Sequence, residues 1–506
     1  MVSGLITGIL ICQSLWAKTF GSSFGADAAY QIIQTSDGGF AVAGWTLSSG
    51  AGRADLLVLK LRSDGSLEWA RTFGGPEDDH AWSILQTSDG GYVVAGETHS
   101  FGAGGSDFLI LRITDTGALE WARTFGGPED DGGYALSVIQ TSDGGLALAG
   151  WTRTCGAGEA DFMVMKLTST GTLEWARTFG GPGDDHAWSI IQVSDAGFAV
   201  AGRTKSFGAG DYDFLVLRLT STGGLVWART FGGPGDDRAR SVIQTSDGGF
   251  AVAGYSASFG PDDYDCLIVK LSGTGSLQWA KRYGEMGRDY AGSIVQVDDG
   301  GLAIAGWTYA LGEGNYDFLA LKLTSAGDIL WAKTIGGPDN EIAYTLIGTN
   351  DGGFALAGRA WSVAVGSGDC FLVKIRGDGE YPGCAQERYL RAQDVQPIVS
   401  LQAMGSDCLP DASSPSPSVG NPEVIATDVC APGVEEDNPS RSRITCSPIP
   451  GGMILNSSVE GSIRIYSADG RLVYSGFLGR GENRFLLDPG VYLWSAASLS
   501  GKALVR

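Results

Sequence analysis

The stretch that decides the fold is residues 69–120, WARTFGGPEDDHAWSILQTSDGGYVVAGETHSFGAGGSDFLILRITDTGALE, because close copies of it recur along most of the chain. Each copy opens on W-A-[RK], and the tryptophans stand at Trp16, Trp69, Trp121, Trp175, Trp227, Trp279 and Trp331, with spacings of 53, 52, 54, 52, 52 and 52. A period of this length marks a solenoid or a propeller. Within the unit, AWSILQT and YVVAGET flank an Asp-Gly-Gly turn, whose glycines tolerate the positive φ of a tight hairpin. That turn recurs at Asp37, Asp89, Asp143, Asp247, Asp299 and Asp351, with Asp195-Ala196-Gly197 as the seventh. DFLILRI is an almost unbroken apolar run, as expected of a strand buried on both faces. LEWARTF is the fourth strand and carries the large aromatic residue.

Four strands per repeat and no helical period predict an all-β fold, a seven-bladed β-propeller of four-stranded blades around a central channel. Side-chain size agrees, since a blade is a wedge. The first two strands are rich in small residues such as Ala41, Ala43 and Gly44, and the outer two carry Leu, Phe and Trp. After Phe371-Leu372-Val373-Lys374-Ile375 no fourth strand follows, whereas Leu15–Phe20 precedes the first full unit without a blade of its own. These two facts predict that the N-terminal strand completes the last blade and removes an open edge.

The organisation expected is therefore a short apolar segment over 1–12, a propeller over 13–378, a Cys-containing, Pro/Ser-rich linker over 379–446, and a small β-sandwich-like domain over 447–506. Residues 1–12 are too short to span a bilayer, and no later apolar run approaches the required length, so no transmembrane segment is expected. Four of the eight cysteines, Cys384, Cys408, Cys430 and Cys446, crowd into the linker stretch. Two disulfides there suit an oxidising compartment, with three connectivities open.

The chain has 79 glycines, 43% hydrophobic residues and a formal charge of −22. That balance argues against nucleic acid and anionic lipid as partners, since either is approached against like charge. It leaves solubility and cation attraction open. No G-x-S-x-G, H-E-x-x-H, phosphate loop or dinucleotide fingerprint is present. The three histidines, His80, His99 and His186, have unrelated residues at their sister positions and read as incidental.

Candidate binding residues come from two sets of loops expected on one face. The loop entering each blade ends in Asp27, Asp79, Asp131, Asp185, Asp237, Asp289 or Glu341. The loop between second and third strands ends in a further aspartate, among them Asp213, Asp265 and Asp317, each preceded by a tyrosine, Tyr212, Tyr264 or Tyr316. Short carboxylates before a strand usually accept turn N–H groups. A ring of them would also attract Ca²⁺ or a cationic partner, since hard cations take oxygen ligands. A basic residue stands in every third strand, as Lys60 and Arg112 do, and another two places after each repeat tryptophan; cation–π contact with the indoles is the structural expectation for the pattern.

The W-x-[RK]-x-x-G-G-x-x-x-D-D start and D-G-G-[FY]-x-V-A-G-x-T hairpin resemble a family of bacterial exported β-propeller repeats, over residues 14 to about 378. That resemblance implies the fold and little about function. Ile463–Val473, Gly490–Ser495 and Lys502–Arg506 resemble the C-terminal sorting domain of the type IX secretion system, which implies export by that machinery to the outer cell surface or medium. The function expected is a non-catalytic binding or scaffold module for a protein, a polysaccharide or a cation. The alternative is a carbohydrate lyase or hydrolase using loop carboxylates at the channel mouth as acid and base.

Overall fold

The computed structural model describes residues 15–22, 25–260, 264–284, 287–309, 315–364 and 367–381, without the side chains of 133–135, and from 385 onward the backbone of the strands alone. Every regular element described is a strand. Seven antiparallel sheets arise from the repeat, each of four strands in sequence order from the axis outward. In the first blade these are β2 (Asp27–Gln34), β3 (Phe40–Thr46), β4 (Asp55–Leu61) and β5 (Leu67–Gly74). The last blade takes three strands, Glu341–Gly348, Phe354–Ala360 and Asp369–Ile375, from the end of the repeats. Its fourth is β1 (Trp16–Gly21), paired so that Trp16 faces Lys374 and Phe20 faces Cys370.

The core lies between blades rather than within one. Ala41, Ala43, Leu56, Val58 and Phe73 of the first blade pack on Ala81, Ile84, Val94, Leu109 and Leu111 of the second, all buried. Blades narrow toward the axis, so alanines serve near it and the bulkier chains further out. The repeat tryptophan does a second job at the rim. Gly65, Gly117, Gly171, Gly223, Gly275, Gly327 and Gly379 each have positive φ and sit so close to the indole of the preceding blade that a Cβ would press into the ring. Each W-A-[RK] strand therefore docks the next blade's outer turn.

The basic residues of the third strand find partners other than the indoles. Lys60 lies beside Trp69 in register, but its ammonium reaches Asp37 of the Asp-Gly-Gly turn at 2.7 Å. The same pairing occurs as Arg112–Asp89 at 2.6 Å, Lys166–Asp143 at 3.1 Å, Lys270–Asp247 at 2.9 Å and Lys322–Asp299 at 2.8 Å, and also as Arg218–Asp195 and Lys374–Asp351. These cations also donate to backbone carbonyls, as Lys60 does to Leu61 at 3.2 Å, and the carboxylate adds the ionic partner that a buried stem otherwise lacks. The cation over the indole comes instead from the same strand, Arg71 over Trp69 at 5.6 Å.

The stretch expected to be a linker supplies strands to the propeller. Ala385–Glu387, Ala392–Asp394, Ile398–Ser400, Met404–Asp407, Asp411–Ser413, Ser418–Gly420 and Ile425–Asp428 each add a fifth strand at the outer edge of one blade. They visit the sixth blade first, then the fifth down to the first, and finally the last. Each outer strand otherwise presents unpaired N–H and C=O groups, which a short extended segment satisfies through backbone alone. The first compact unit accordingly runs to Thr427 rather than stopping near residue 378. Cys155, on a loop of the third blade, is disulfide-bonded, a bond the sequence reading did not foresee, while Cys266 and Cys370 are buried thiols. Side chains of Cys384, Cys408, Cys430 and Cys446 lie outside the described residues.

The second unit, Asp428–Arg506, holds two antiparallel sheets. One has three strands, Ile444–Ile449, Gly452–Ser457 and Gly481–Leu486. The other has four, ordered Leu472–Leu478, Gly461–Ser467, Gly490–Ala496 and Leu499–Val505. No described helix is long and apolar enough to cross a membrane.

Candidate functional site

The two predicted sets of loop carboxylates do meet, but between blades and out of solvent. Asp27, Asp79, Asp131, Asp185, Asp237, Asp289 and Glu341 are at most 1% exposed, and Asp213, Asp265 and Asp317 at most 2%. Asp79 shows the arrangement. Its carboxylate accepts the Gly75 N–H at 2.7 Å, the Ser100 hydroxyl at 2.7 Å and the Thr98 hydroxyl. Asp131, Asp185 and Asp237 accept the N–H of Gly127, Gly181 and Gly233 in the same way, and Glu341 that of Gly337. These acids hold the entry loop of each blade, and the exposed binding face expected of them is corrected: all of them are buried between blades, with one carboxylate oxygen each accepting a local N–H in Asp79, Asp131, Asp185, Asp237 and Glu341.

The partner carboxylate comes from the third strand of the preceding blade. A Cβ on Gly74 would overlap Asp55 Oδ1 and approach Asp79 Oδ2 at 2.9 Å, which explains why the first glycine of the F-G-G sequence is needed there. The same holds at Gly180 for Asp161 with Asp185 and at Gly232 for Asp213 with Asp237. Burial, with the charge of Asp79 added, pushes Asp55 up to about 6; burial and Asp237 push Asp213 up to about 7. Asp161 is raised for the same causes. Raised carboxyls at equivalent places in three blades belong to the repeat, unlike an acid and base singled out in one pocket. In one junction the sequence supplies a cation instead: Arg282, where other blades have threonine, meets Asp265 at 2.9 Å. Among the described residues no group of three or more His, Cys, Asp or Glu side chains is placed to hold a metal ion.

The three tyrosines lead to a different place. Tyr212 donates its hydroxyl to Asp184 at 3.1 Å and lies under Arg203 at 4.3 Å and Arg238 at 5.1 Å. Tyr264 donates to Asp236 at 3.1 Å and packs on Tyr255, and Tyr316 lies 6.2 Å from Tyr290. They form the outer part of an aromatic and arginine-rich surface that surrounds one mouth of the channel.

Local backbone geometry builds this surface. In the first strand of the blade the pairing slips by one residue, between Ala29 and Gln31 in the first blade, and the unpaired residue is Tyr30. Such a bulge re-aims a side chain. The adjacent glycine, Gly44, is needed because a Cβ there would overlap the carbonyl of Ala28. The bulge residues Tyr30, Trp82, Trp188, Arg240, Gly292 and Tyr344, with Leu136 from the third blade, line a cavity of about 360 Å³ whose wall also includes Trp307. Around it, Tyr30 contacts Trp82 at 4.2 Å and stacks on Tyr344 at 4.4 Å. Trp307 stacks on Tyr290 at 4.9 Å, and Trp151 on His186 at 4.8 Å. His80 meets the buried Glu97 at 3.0 Å. Burial pushes the His186 imidazole below its ordinary range.

Of these residues only Tyr212, Tyr264 and Tyr316 were singled out from sequence, and two of the three histidines dismissed there pack on the aromatic rings, His80 beside Trp82 and His186 on Trp151. A signal was present all the same. Repeats that agree nearly everywhere differ at the bulge position and at the sixth residue of the second strand, which reads Trp45, Glu97, Trp151, Arg203, Tyr255, Trp307 and Arg359. Ring closure brings those differences together.

Residues 87–120 match the model of a β-propeller domain of unknown function. A regulatory protein of Caulobacter vibrioides, FlaEY, is 28% identical over 193 residues, which is 35% of this chain, and the chain spans only 19% of that relative's length. Among solved structures, PorZ, described as an essential bacterial surface component of the type-IX secretion system of Porphyromonas gingivalis, aligns over 93% of this chain and 69% of its own, at 10% identity and a TM-score of 0.37. Sqt1 from Chaetomium thermophilum aligns over 71% of this chain and 98% of its own, also at 10% identity and a TM-score of 0.37.

Proposed function

We propose that the chain is an exported, non-catalytic binding module whose ligand, a surface polymer or a protein segment, is held at the aromatic mouth of the propeller channel. The observation that carries this reading is the segregation of differences. Where seven copies of one unit diverge at the bulge position, the divergent residues line one cavity, and five of the seven, Tyr30, Trp82, Trp188, Arg240 and Tyr344, are aromatic or basic. Buried or half-buried aromatic rings around a concavity are the usual lining of a ligand site. The export half of the reading is supported by the resemblance of Ile463–Val473 and Gly490–Ser495 to a secretion sorting domain. In this reading the buried loop carboxylates anchor their loops, and the ligand site is the aromatic mouth.

The test is a double substitution of Trp188→Ala and Trp307→Ala, assayed on an array of bacterial surface glycans and peptides alongside the parent chain. The parent is expected to retain a ligand that the variant loses, with both melting as one cooperative ring. Equal retention by parent and variant would move the ligand away from the axis and defeat the proposal.

A further inference from the structure

The charges around the cavity do not balance. The acids of this face are engaged: Glu97 with His80 at 3.0 Å, Asp184 with His186 at 3.4 Å and Arg203 at 3.5 Å, and Asp236 with Arg238. Arg240 and Arg359, by contrast, have no carboxylate partner among the described residues. Arg240 lies over the Trp188 ring at 4.3 Å and the Tyr255 ring at 5.5 Å, and its one hydrogen bond is a 3.3 Å contact from Nη2 to the Tyr255 hydroxyl. Its Nε is buried and has no acceptor. Arg359 repeats the pattern, over Trp361 at 4.2 Å and Trp45 at 5.2 Å, with one bond from Nη2 to the Ser367 carbonyl and a buried Nε without an acceptor. Arg240 lines the cavity together with Tyr30 and Tyr344, and Arg359, outside that lining, is near enough to act electrostatically on the same two tyrosines.

A guanidinium held between aromatic rings keeps its edge donors free while its faces are covered, which is the posture for receiving a planar anion. Against a formal charge of −22 these two guanidiniums without a carboxylate make a local positive spot, which an acidic ligand feels at direct contact, where the screened charge of the rest of the protein counts least. Trp82 and Trp307 in the lining and a volume near 360 Å³ favour a ligand of sugar-ring size with an apolar C–H face beside its charge. We infer that the axial cavity receives a hexuronate unit of an acidic polysaccharide, its carboxylate on the Arg240 fork with Arg359 adding field, and its ring against the indoles. This deepens the axial-site reading above and rests on it.

Calorimetric titration of the full chain with trimers of galacturonate, mannuronate and guluronate, each beside its methyl ester, separates the ideas. The methyl ester keeps the ring and removes the charge. At least one acid trimer is expected to bind, its ester to bind roughly 10- to 100-fold more weakly, and Arg240→Ala to cause a loss of the same size with an unchanged melting temperature. Arg240→Lys should recover only part, because an ammonium lacks the fork. If ester and acid bind alike, or Arg240→Ala binds normally, the carboxylate inference falls while the axial site stands. If an acidic peptide binds through Arg240 and no trimer does, the sugar assignment is overturned. If no trimer binds and the Trp188→Ala/Trp307→Ala variant still retains the array ligand, both readings fail.

Discussion

At the blade junctions, seven acids occupy the same place in seven repeats; at the axis, the same place in seven repeats holds tyrosine, tryptophan, leucine, arginine or glycine. The first region is uniform because its task is identical in every blade: Asp79 and its equivalents accept the N–H of the glycine four residues earlier, which holds the entry loop, and fill a gap that only glycine leaves open. At the axis the side chains face each other rather than their own blade, so each is free to differ. Repetition in this molecule marks what builds the ring, and divergence marks what the ring presents.

Three outcomes would break or sharpen that contrast. The largest effect should come from Asp79→Ala, which strands a backbone N–H and two hydroxyls in a buried site and is expected to cost about 2–4 kcal/mol in denaturant unfolding. Arg240→Ala should by comparison leave stability within about 0.5 kcal/mol, since it removes a cation without an ionic partner. Comparable losses from the two would erase the distinction between building and presenting residues.

The second outcome concerns pH. Asp55 and Asp213 sit near 6 and 7 because of burial first and a neighbouring carboxylate next, so the folded state binds their protons more tightly than the unfolded state does. Their contribution is fully present below the ordinary carboxylate range and is lost as pH rises through 6 to 7. Asp89, Asp143 and Asp247 behave oppositely. Threonine hydroxyls and the paired Arg112, Lys166 or Lys270 hold them down to about 2, so their contribution is present above pH 4 and lost as pH falls toward 2. The melting temperature should therefore rise by several degrees from pH 8 to about pH 5 and fall again below pH 4. A flat profile between pH 8 and 5 would mean that the carboxylate pairs are solvated after all.

A small gain is expected at the one turn that departs from its six sisters. Ala196 adopts φ 66°, and it is the one non-glycine residue with positive φ among those described. Ala196→Gly should stabilise the protein by about 0.5–1 kcal/mol, read as a shift in the urea midpoint. A loss instead would show that the Ala196 methyl makes a contact worth more than its strain.

Much of this was open to inspection in the chain. The number of blades, the strand order within them and the turns follow from W-A-[RK], Asp-Gly-Gly and the apolar third strand, since each is a local pattern repeated under identical constraints. Pairing of β1 with Asp369–Ile375 follows from counting strands. The small strands over 385–428 were illegible, because segments such as Ala-Gln-Glu and Asp-Ala-Ser pair by backbone and carry no periodic side-chain signature. Lys60 beside Trp69 was visible as a cross-strand neighbour, yet the reach of a long side chain to Asp37 decided its partner.

Sequence alone thus determined the fold, through periodicity and turn chemistry that act over a few residues. Tertiary structure decided two matters. An aspartate written identically in an exposed or a buried turn becomes a buried anchor only when the neighbouring blade closes over it. Arg240, Trp188, Tyr30 and Tyr344, spread over more than three hundred residues, become one cavity only because closing the ring turns equal positions in distant repeats into neighbours.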